Sequence, residues 1–228
     1  MIFFDIDGTL IDFKQAEAAG IRTFYQTYGH HFTLTEEAFH VEWRVVGARH
    51  FPRFLRGELS FEQQQAERVK SLFELAAIRL TDREAGAYFG TYLQAFESSL
   101  AAYDDVVPCL QQLRAMGHRL GIISNGNGAQ QRSKLERAGL LAYFDAIVVS
   151  SEAGAAKPDP RIFEAACLQA RRDPGACLYI GDDVETDIVA CRQYGLSGIW
   201  LNRTGTRTEH KVPAIARLSE LDPGLAFL

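Results

Sequence analysis

Cysteine is scarce in this chain of 228 residues: there are four (Cys109, Cys167, Cys177 and Cys191), and no two form a C-x-x-C pair. A chain of this length buries a core without covalent staples, so a disulfide scaffold is not expected, and reduced thiols in a cytoplasmic protein fit best. Proline (7) and glycine (19) are thinly spread, which leaves no long flexible linker and no low-complexity tract. No apolar run is long enough to cross a bilayer, and the start lacks the basic, apolar and small-residue order of a secretory leader. Positive charge is in deficit too, with 24 Lys and Arg against 29 Asp and Glu, a net charge of −5. That balance argues against nucleic acid and membrane surfaces as partners, and leaves room for a small anionic ligand held by a few local cations.

What is present divides into two kinds of sequence. From about Lys14 to Ser99 the apolar residues recur at helical spacing: Ile21, Phe24, Tyr25 and Tyr28; then Phe39, Trp43 and Val46; then Val69, Leu72, Phe73 and Ala76; then Ala85, Tyr88, Phe89, Tyr92, Leu93 and Phe96. Thr33 with Glu36, Ser60 with Gln63, and Thr81 with Glu84 have the spacing of capping boxes. Four amphipathic helices with short connections predict a small bundle. The rest of the chain alternates. Short apolar runs at Ile2–Ile6, Arg119–Ser124, Ala146–Ser150, Cys177–Gly181 and Gly198–Leu201 predict buried strands. Helical patterns at Val106–Met116, Gln130–Ala138, Pro160–Ala170 and Val184–Tyr194 lie between them, three followed by Gly117, Gly139 and Gly195. This predicts an α/β fold: a Rossmann-like parallel sheet covered on both faces. Residues 1–14 and 101–228 would form the core, and residues 15–100 an inserted four-helix domain, with linkers near Asp12–Gln15 and Leu100–Asp104.

Ligands of an open parallel sheet bind at the carboxyl ends of its strands. There the sequence places Asp5, Asp7, Gly8 and Thr9; Ser124, Asn125 and Gly126; and Asp182, Asp183 and Asp187, with Lys157 on a loop leading into a helix. Two carboxylates about 4 Å apart at an effective dielectric near 20 repel by roughly 4 kcal/mol, so such a cluster requires cations. Lys157 supplies one. A hard divalent ion with oxygen ligands, best Mg²⁺, supplies the rest, and the absence of His and Cys from these motifs disfavours zinc. The Ser124 hydroxyl, the N–H groups of the Asn125–Gly126 turn and Lys157 suit a phosphate group. Asp5 can attack phosphorus as a nucleophile, and Asp7, two residues on, can exchange a proton with the leaving oxygen and then with water.

The four segments DIDGTL (Asp5–Leu10), SNG (Ser124–Gly126), AKPDP (Ala156–Pro160) and GDDVETD (Gly181–Asp187) resemble, in order and spacing, the four motifs of the haloacid dehalogenase superfamily. The helical insertion falls where that family carries its C1 cap. The resemblance implies Asp5 as nucleophile, Asp7 as acid and base, and Ser124 and Lys157 as phosphate-binding groups. It implies Mg²⁺ held by the Asp5 carboxylate, the Asp7 carbonyl and Asp182. Asp187 would orient Lys157 or a metal-bound water, a role Asp183 could share. The dehalogenases of the superfamily lack the acidic residue two after the nucleophile, so Asp7 favours the phosphatase branch, and NGNGAQQRSKLERAGLLAYFD resembles its nucleotidases. The expected activity is Mg²⁺-dependent hydrolysis of a small phosphorylated metabolite, a nucleoside monophosphate or a sugar phosphate. A phosphomutase, a dehalogenase-type hydrolase and a phosphoacceptor or regulatory binding protein are the alternatives.

Other conspicuous residues are read as structural. His30–His31 follows a helix end, and Arg44, Arg49, His50, Arg53 and Arg56 read as a solvated basic face. Cys177 and Cys191 are expected in the core, and Trp43 and Trp200 as packing residues.

Overall fold

The computed structural model describes residues 1–222. The chain divides into two compact units: Met1–Asp12 with the chain from Ala101 onward, and Phe13–Leu100.

The first unit is built on six strands: β1 (Ile2–Phe4), β2 (Leu120–Ser124), β3 (Ala146–Val149), β4 (Leu178–Gly181), β5 (Ser197–Leu201) and β6 (Ala214–Ile215). They form one parallel sheet in the order β3-β2-β1-β4-β5-β6. Every residue of β1, β2 and β4 is buried, as continuous apolar runs in a doubly covered sheet require. Ile2 pairs with Leu120 on one side and Leu178 on the other, so β1 starts level with its neighbours and ends two residues before β2 and one before β4. Asp5, the residue after β1, therefore comes level with Ile123 and Gly181, with Ser124 and Asp182 the next residues on the two neighbouring segments. On one face of the sheet, Phe3, Ile123 and Tyr179 pack with Ile162, Phe163, Cys167 and Cys191. β1 to β4 are a residue or two shorter than the apolar runs predict, β5 is one longer, and β6, two residues long, carries no sequence signal.

In the second unit, α1 (Phe13–Tyr28), α2 (Glu36–Leu55), α3 (Phe61–Glu74) and α4 (Asp82–Ser98) pack as a bundle: α1 on α2 and α4, α3 on α2 and α4. Trp43 is fully buried at its centre, with ring centroids 5.0 Å from Phe24 and 4.5 Å from Tyr92. The Ser60/Gln63 and Thr81/Glu84 capping boxes are formed. The Thr33/Glu36 box is not: Thr35 is the N-cap of α2 and accepts from the Ala38 N–H, so the helix starts later than the Thr33 spacing predicts. The basic stretch is solvated at its arginines, as expected, but not at His50. His50 is buried, its Nε2 2.9 Å from Ser71 Oγ, because the helical repeat turns it toward α3. Arg44 pairs with Glu17, and Arg53 and Arg56 pair with Glu58. α1 already begins at Phe13, inside the linker expected at Asp12–Gln15.

The remaining helices belong to the first unit: α5 (Val106–Ala115), α6 (Gly128–Arg137), α7 (Ser150–Ala153), α8 (Pro160–Ala170) and α9 (Ala190–Tyr194). The helix expected over Val184–Tyr194 opens instead with a π-type turn, Val184–Val189, before α9. Such turns widen the backbone and redirect side chains, and here the turn carries Asp187 inward. Among the described residues no helix is long and apolar enough to cross a membrane.

Candidate active site

Asp5 follows β1 directly, and its N–H donates to the Ile180 carbonyl (2.9 Å), which ties the nucleophile candidate to the end of β4. Asp5 is 6% exposed. The Lys157 ammonium donates to Asp5 Oδ1 (2.7 Å), to Asp187 Oδ1 (2.6 Å) and to the Tyr179 hydroxyl (2.8 Å). Tyr179 in turn donates to the Ile123 carbonyl (2.8 Å). One oxygen each from Asp5, Asp182 and Asp187 lies within 4.8 Å of the others. The chain bends tightly here: Gly8 has φ +84°, and a Cβ on it would fall on the Asp182 carboxylate. A Cβ on Gly181 would likewise overlap the Asp187 carboxylate. These two glycines let the backbone approach the acidic cluster.

The electrostatics follow from crowding. Burial, offset by Lys157 and reinforced by Asp187 and Asp7, pushes the Asp5 carboxyl up to about 6. Asp182 has one side open to water; burial of the other, with the Asp5 and Asp187 charges, pushes its carboxyl up to about 8. Burial alone would lower the Lys157 ammonium, but the Asp187 and Asp5 carboxylates outweigh it and raise it. Lys157 is thus held as a cation, and the cluster around it still carries more negative charge than one ammonium balances.

Two of the other expected residues, Asn125 and Asp183, hold backbone groups. Ser124 is buried at the end of β2, next to Asp5's strand. The Asn125 amide is engaged with the Lys157 backbone: Nδ2 donates to its carbonyl (3.0 Å) and Oδ1 accepts from its N–H (2.7 Å). Asn125 therefore fixes the lysine loop with one of its two amide hydrogens and its carbonyl oxygen. The Asp183 carboxylate accepts from the N–H groups of Glu185 (3.0 Å) and Thr186 (2.8 Å), so it caps the π-type turn. Only its backbone N–H serves the cluster, donating to Asp187 Oδ2 (3.1 Å). Cys177 and Cys191 are buried, as are Trp43 and Trp200. Trp200 does more than pack, because its indole N–H donates to the Asp182 carbonyl (2.9 Å).

A model of the haloacid dehalogenase-like hydrolase family matches residues 1–195. The chain belongs to this family. It is 33% identical over 202 residues to the pyrimidine 5′-nucleotidase YjjG of Escherichia coli, covering 88% of this chain and 85% of that one. It is 31% identical over 210 residues to a glyceraldehyde 3-phosphate phosphatase of Methanopyrus kandleri, covering 89% and 83%. The fold is shared with the HAD-hydrolase YfnB of Bacillus subtilis, solved with magnesium, at a TM-score of 0.77 and 22% identity over 96% and 95% of the two chains.

In this hydrolase the sequence motifs omit several residues that the fold brings to the site. On α6, Lys134 donates to both oxygens of Asp7 (2.9 and 2.7 Å), and Gln131 donates to Ser124 Oγ (2.8 Å) and Asp7 Oδ2 (3.2 Å). Both read as ordinary polar positions of an amphipathic helix. Their i, i+3 spacing puts them on one face, and both fall inside the run NGNGAQQRSKLERAGLLAYFD that resembles the nucleotidases, but neither signal says what they touch. Tyr179 reads as one more apolar strand residue. Arg203 lies in a polar stretch after β5, with no pattern to mark it. It donates to the Thr9 carbonyl (3.0 Å) and forks onto both oxygens of Asp105 (3.0 and 2.9 Å).

Proposed function

We propose that this hydrolase cleaves the phosphate monoester of a small metabolite in two steps through phosphorylated Asp5, with Mg²⁺ as cofactor. The observation that carries the reading is the buried Asp5, held by Lys157 at the end of the central strand, with Asp7 two residues on and Ser124 on the neighbouring strand.

The donor set fits a hard cation. Three carboxylates within 4.8 Å of one another share one ammonium, and all offer oxygen. Asp5, the Asp7 carbonyl and Asp182 would hold the ion, whereas Asp187 is already committed to Lys157, Tyr179 and the Asp183 N–H. When bound, the ion would neutralise part of the charge on the phosphoryl group. Lys157 keeps the Asp5 oxygen pinned and adds positive charge beside the incoming phosphate. The Ser124 hydroxyl donates to a phosphate oxygen. Asp7 passes a proton to the ester oxygen as it leaves, then takes one from the water that attacks the aspartyl-phosphate.

The named activities of the similar proteins concern a pyrimidine 5′-nucleotide and glyceraldehyde 3-phosphate. A nucleoside monophosphate or a sugar phosphate is accordingly the substrate class we assign. The test is phosphate release across a panel of nucleotides and sugar phosphates, with Mg²⁺ and with EDTA. Metal-dependent release that disappears in Asp5→Asn supports the reading. Full turnover by a folded Asp5→Asn protein overturns it.

A further inference from the structure

Lysine is seldom buried, because desolvating an ammonium costs several kcal/mol unless it is paired. Lys134 is 4% exposed, and it uses that burial to grip both oxygens of Asp7. Two contacts to one carboxylate fix its plane as well as its place, as one contact would not. Gln131, one turn earlier on the same face of α6, is 1% exposed. Its amide nitrogen donates to Ser124 Oγ (2.8 Å), to Asp7 Oδ2 (3.2 Å) and to the Asn125 carbonyl (3.3 Å). With Asp7 ionised, the reverse amide orientation would set Oε1 against its carboxylate, so in that state the nitrogen faces this way. A hydroxyl that accepts from Gln131 keeps its own hydrogen for another partner. Ser124 is thereby set as a donor, its contact to the Asn125 carbonyl being long at 3.5 Å.

We propose that Lys134 is a positioning residue that aims the Asp7 carboxyl at the ester oxygen, with Gln131 presetting Ser124 to donate to the phosphate. The inference rests on the phosphatase reading above. In the first step the Asp5 oxygen bonds to phosphorus, the bond from phosphorus to the ester oxygen breaks, and the proton of Asp7 goes to that oxygen to give the free alcohol. In the second, a water oxygen bonds to phosphorus, the bond to Asp5 breaks, and a water proton returns to Asp7. Neither Lys134 nor Gln131 touches the substrate; each acts through the residue it holds.

A misaimed Asp7 hurts esters that need the proton more than esters that do not. The test compares phenyl phosphate, a poorer leaving group, with 4-nitrophenyl phosphate, a better one, through kcat/KM, which reports the first step. Lys134→Met should lower kcat/KM on phenyl phosphate on the order of 10²-fold and on 4-nitrophenyl phosphate less than about tenfold, the scale of a misplaced general acid. Lys134→Arg, which can keep two contacts, should restore most of the difference. Gln131→Leu should instead raise KM and weaken inhibition by inorganic phosphate. Equal losses on both esters, a pattern a purely structural role would give, overturn the proposal while the phosphatase reading stands. A wild-type protein that hydrolyses neither ester with Mg²⁺ overturns both. If Lys134→Met does not fold, Lys134→Gln carries the same comparison.

Discussion

Lys157 and Asp5, 152 residues apart in the chain, meet in a buried ion pair of 2.7 Å at the end of the central strand. The same ammonium also serves Asp187, so one cation holds two carboxylates that water scarcely reaches. Removing one partner of a buried pair leaves the other uncompensated, at a cost on the order of 3–5 kcal/mol. Lys157→Met should therefore lose both activity and stability, the second read from a urea unfolding curve. The stability deficit should shrink toward low pH, because Asp5, already pushed up to about 6 by burial, then takes up a proton and ceases to need a counter-charge. A deficit that is flat with pH would argue that packing, not charge, is what Lys157 supplies.

Gly8 and Asp182 make a different prediction. A Cβ at residue 8 would sit on the Asp182 carboxylate, and the backbone there is left-handed, which costs a residue with a side chain about 1–2 kcal/mol. At this chain length that is a fall of roughly 2–4 °C in Tm per kcal/mol. The larger effect of Gly8→Ala should be on the acidic cluster. Displacing Asp182 should raise the Mg²⁺ concentration for half-maximal activity about tenfold or more, the scale seen when the support of a metal ligand is lost. A metal titration of activity beside a melting curve separates the two effects.

Three of the residues legible in the sequence share one property: they sit where a strand ends and a polar turn begins. Asp5 and Asp182 follow β1 and β4 and Ser124 closes β2, and the breaks in apolar pattern there place them without any knowledge of packing. The sheet itself was legible because β1, β2 and β4 are apolar throughout. Lys134 and Gln131 were hidden because helical periodicity distinguishes faces, and a polar residue aimed at a site reads like one aimed at water. His50 was hidden for the converse reason, since a histidine within a run of arginines looks solvated until its helix is docked. Asp183 matched a motif but is spent on capping the turn beyond it, a use the sequence permits equally well. The π-type turn at Val184–Val189 has no signal in the apolar pattern, and the contacts of its Asp187 with Lys157 and Tyr179 come from distant or separate elements.

The raised carboxyls set the sign of a pH effect. Folded Asp5 titrates at about 6 and Asp182 at about 8, against an unfolded aspartate near 4. Within that window the folded protein holds more protons than the unfolded one, so stability falls as pH rises through it. The metal-free protein should melt at a lower temperature at about pH 8 than at about pH 5, and Mg²⁺, which binds the ionised cluster, should raise Tm more at the higher pH. Asp182→Asn should raise the Tm of the metal-free protein and abolish the Mg²⁺ increment, trading function for stability. Scanning calorimetry in EDTA and in Mg²⁺ at the two pH values measures all of this. An increment independent of pH would sink the argument.

Arg203 ties three parts of the first unit together. Its guanidinium forks onto Asp105, whose side chain is 3% exposed, donates to the Thr9 carbonyl and lies 4.0 Å from the centre of the Tyr103 ring. Asp105 also accepts from the Leu218 N–H (2.8 Å), so the segment after β5 is pinned to the start of α5 and to the loop that follows Asp5. Arg203→Met would keep some packing on Tyr103 and leave the Asp105 carboxylate buried without its cation, a loss on the order of 3–5 kcal/mol. Arg203→Lys should recover only part of it, because an ammonium cannot reproduce a planar fork that grips a carboxylate and a carbonyl at once. Asp105→Asn in the Arg203→Met background should recover stability by removing the stranded charge. Thr9 adjoins the nucleophile loop, so the same single substitution should lower kcat as well. Urea unfolding of the single and double variants, read as a double-mutant cycle, checks the coupling: additive losses would mean that Arg203 and Asp105 act independently, against the contacts they make.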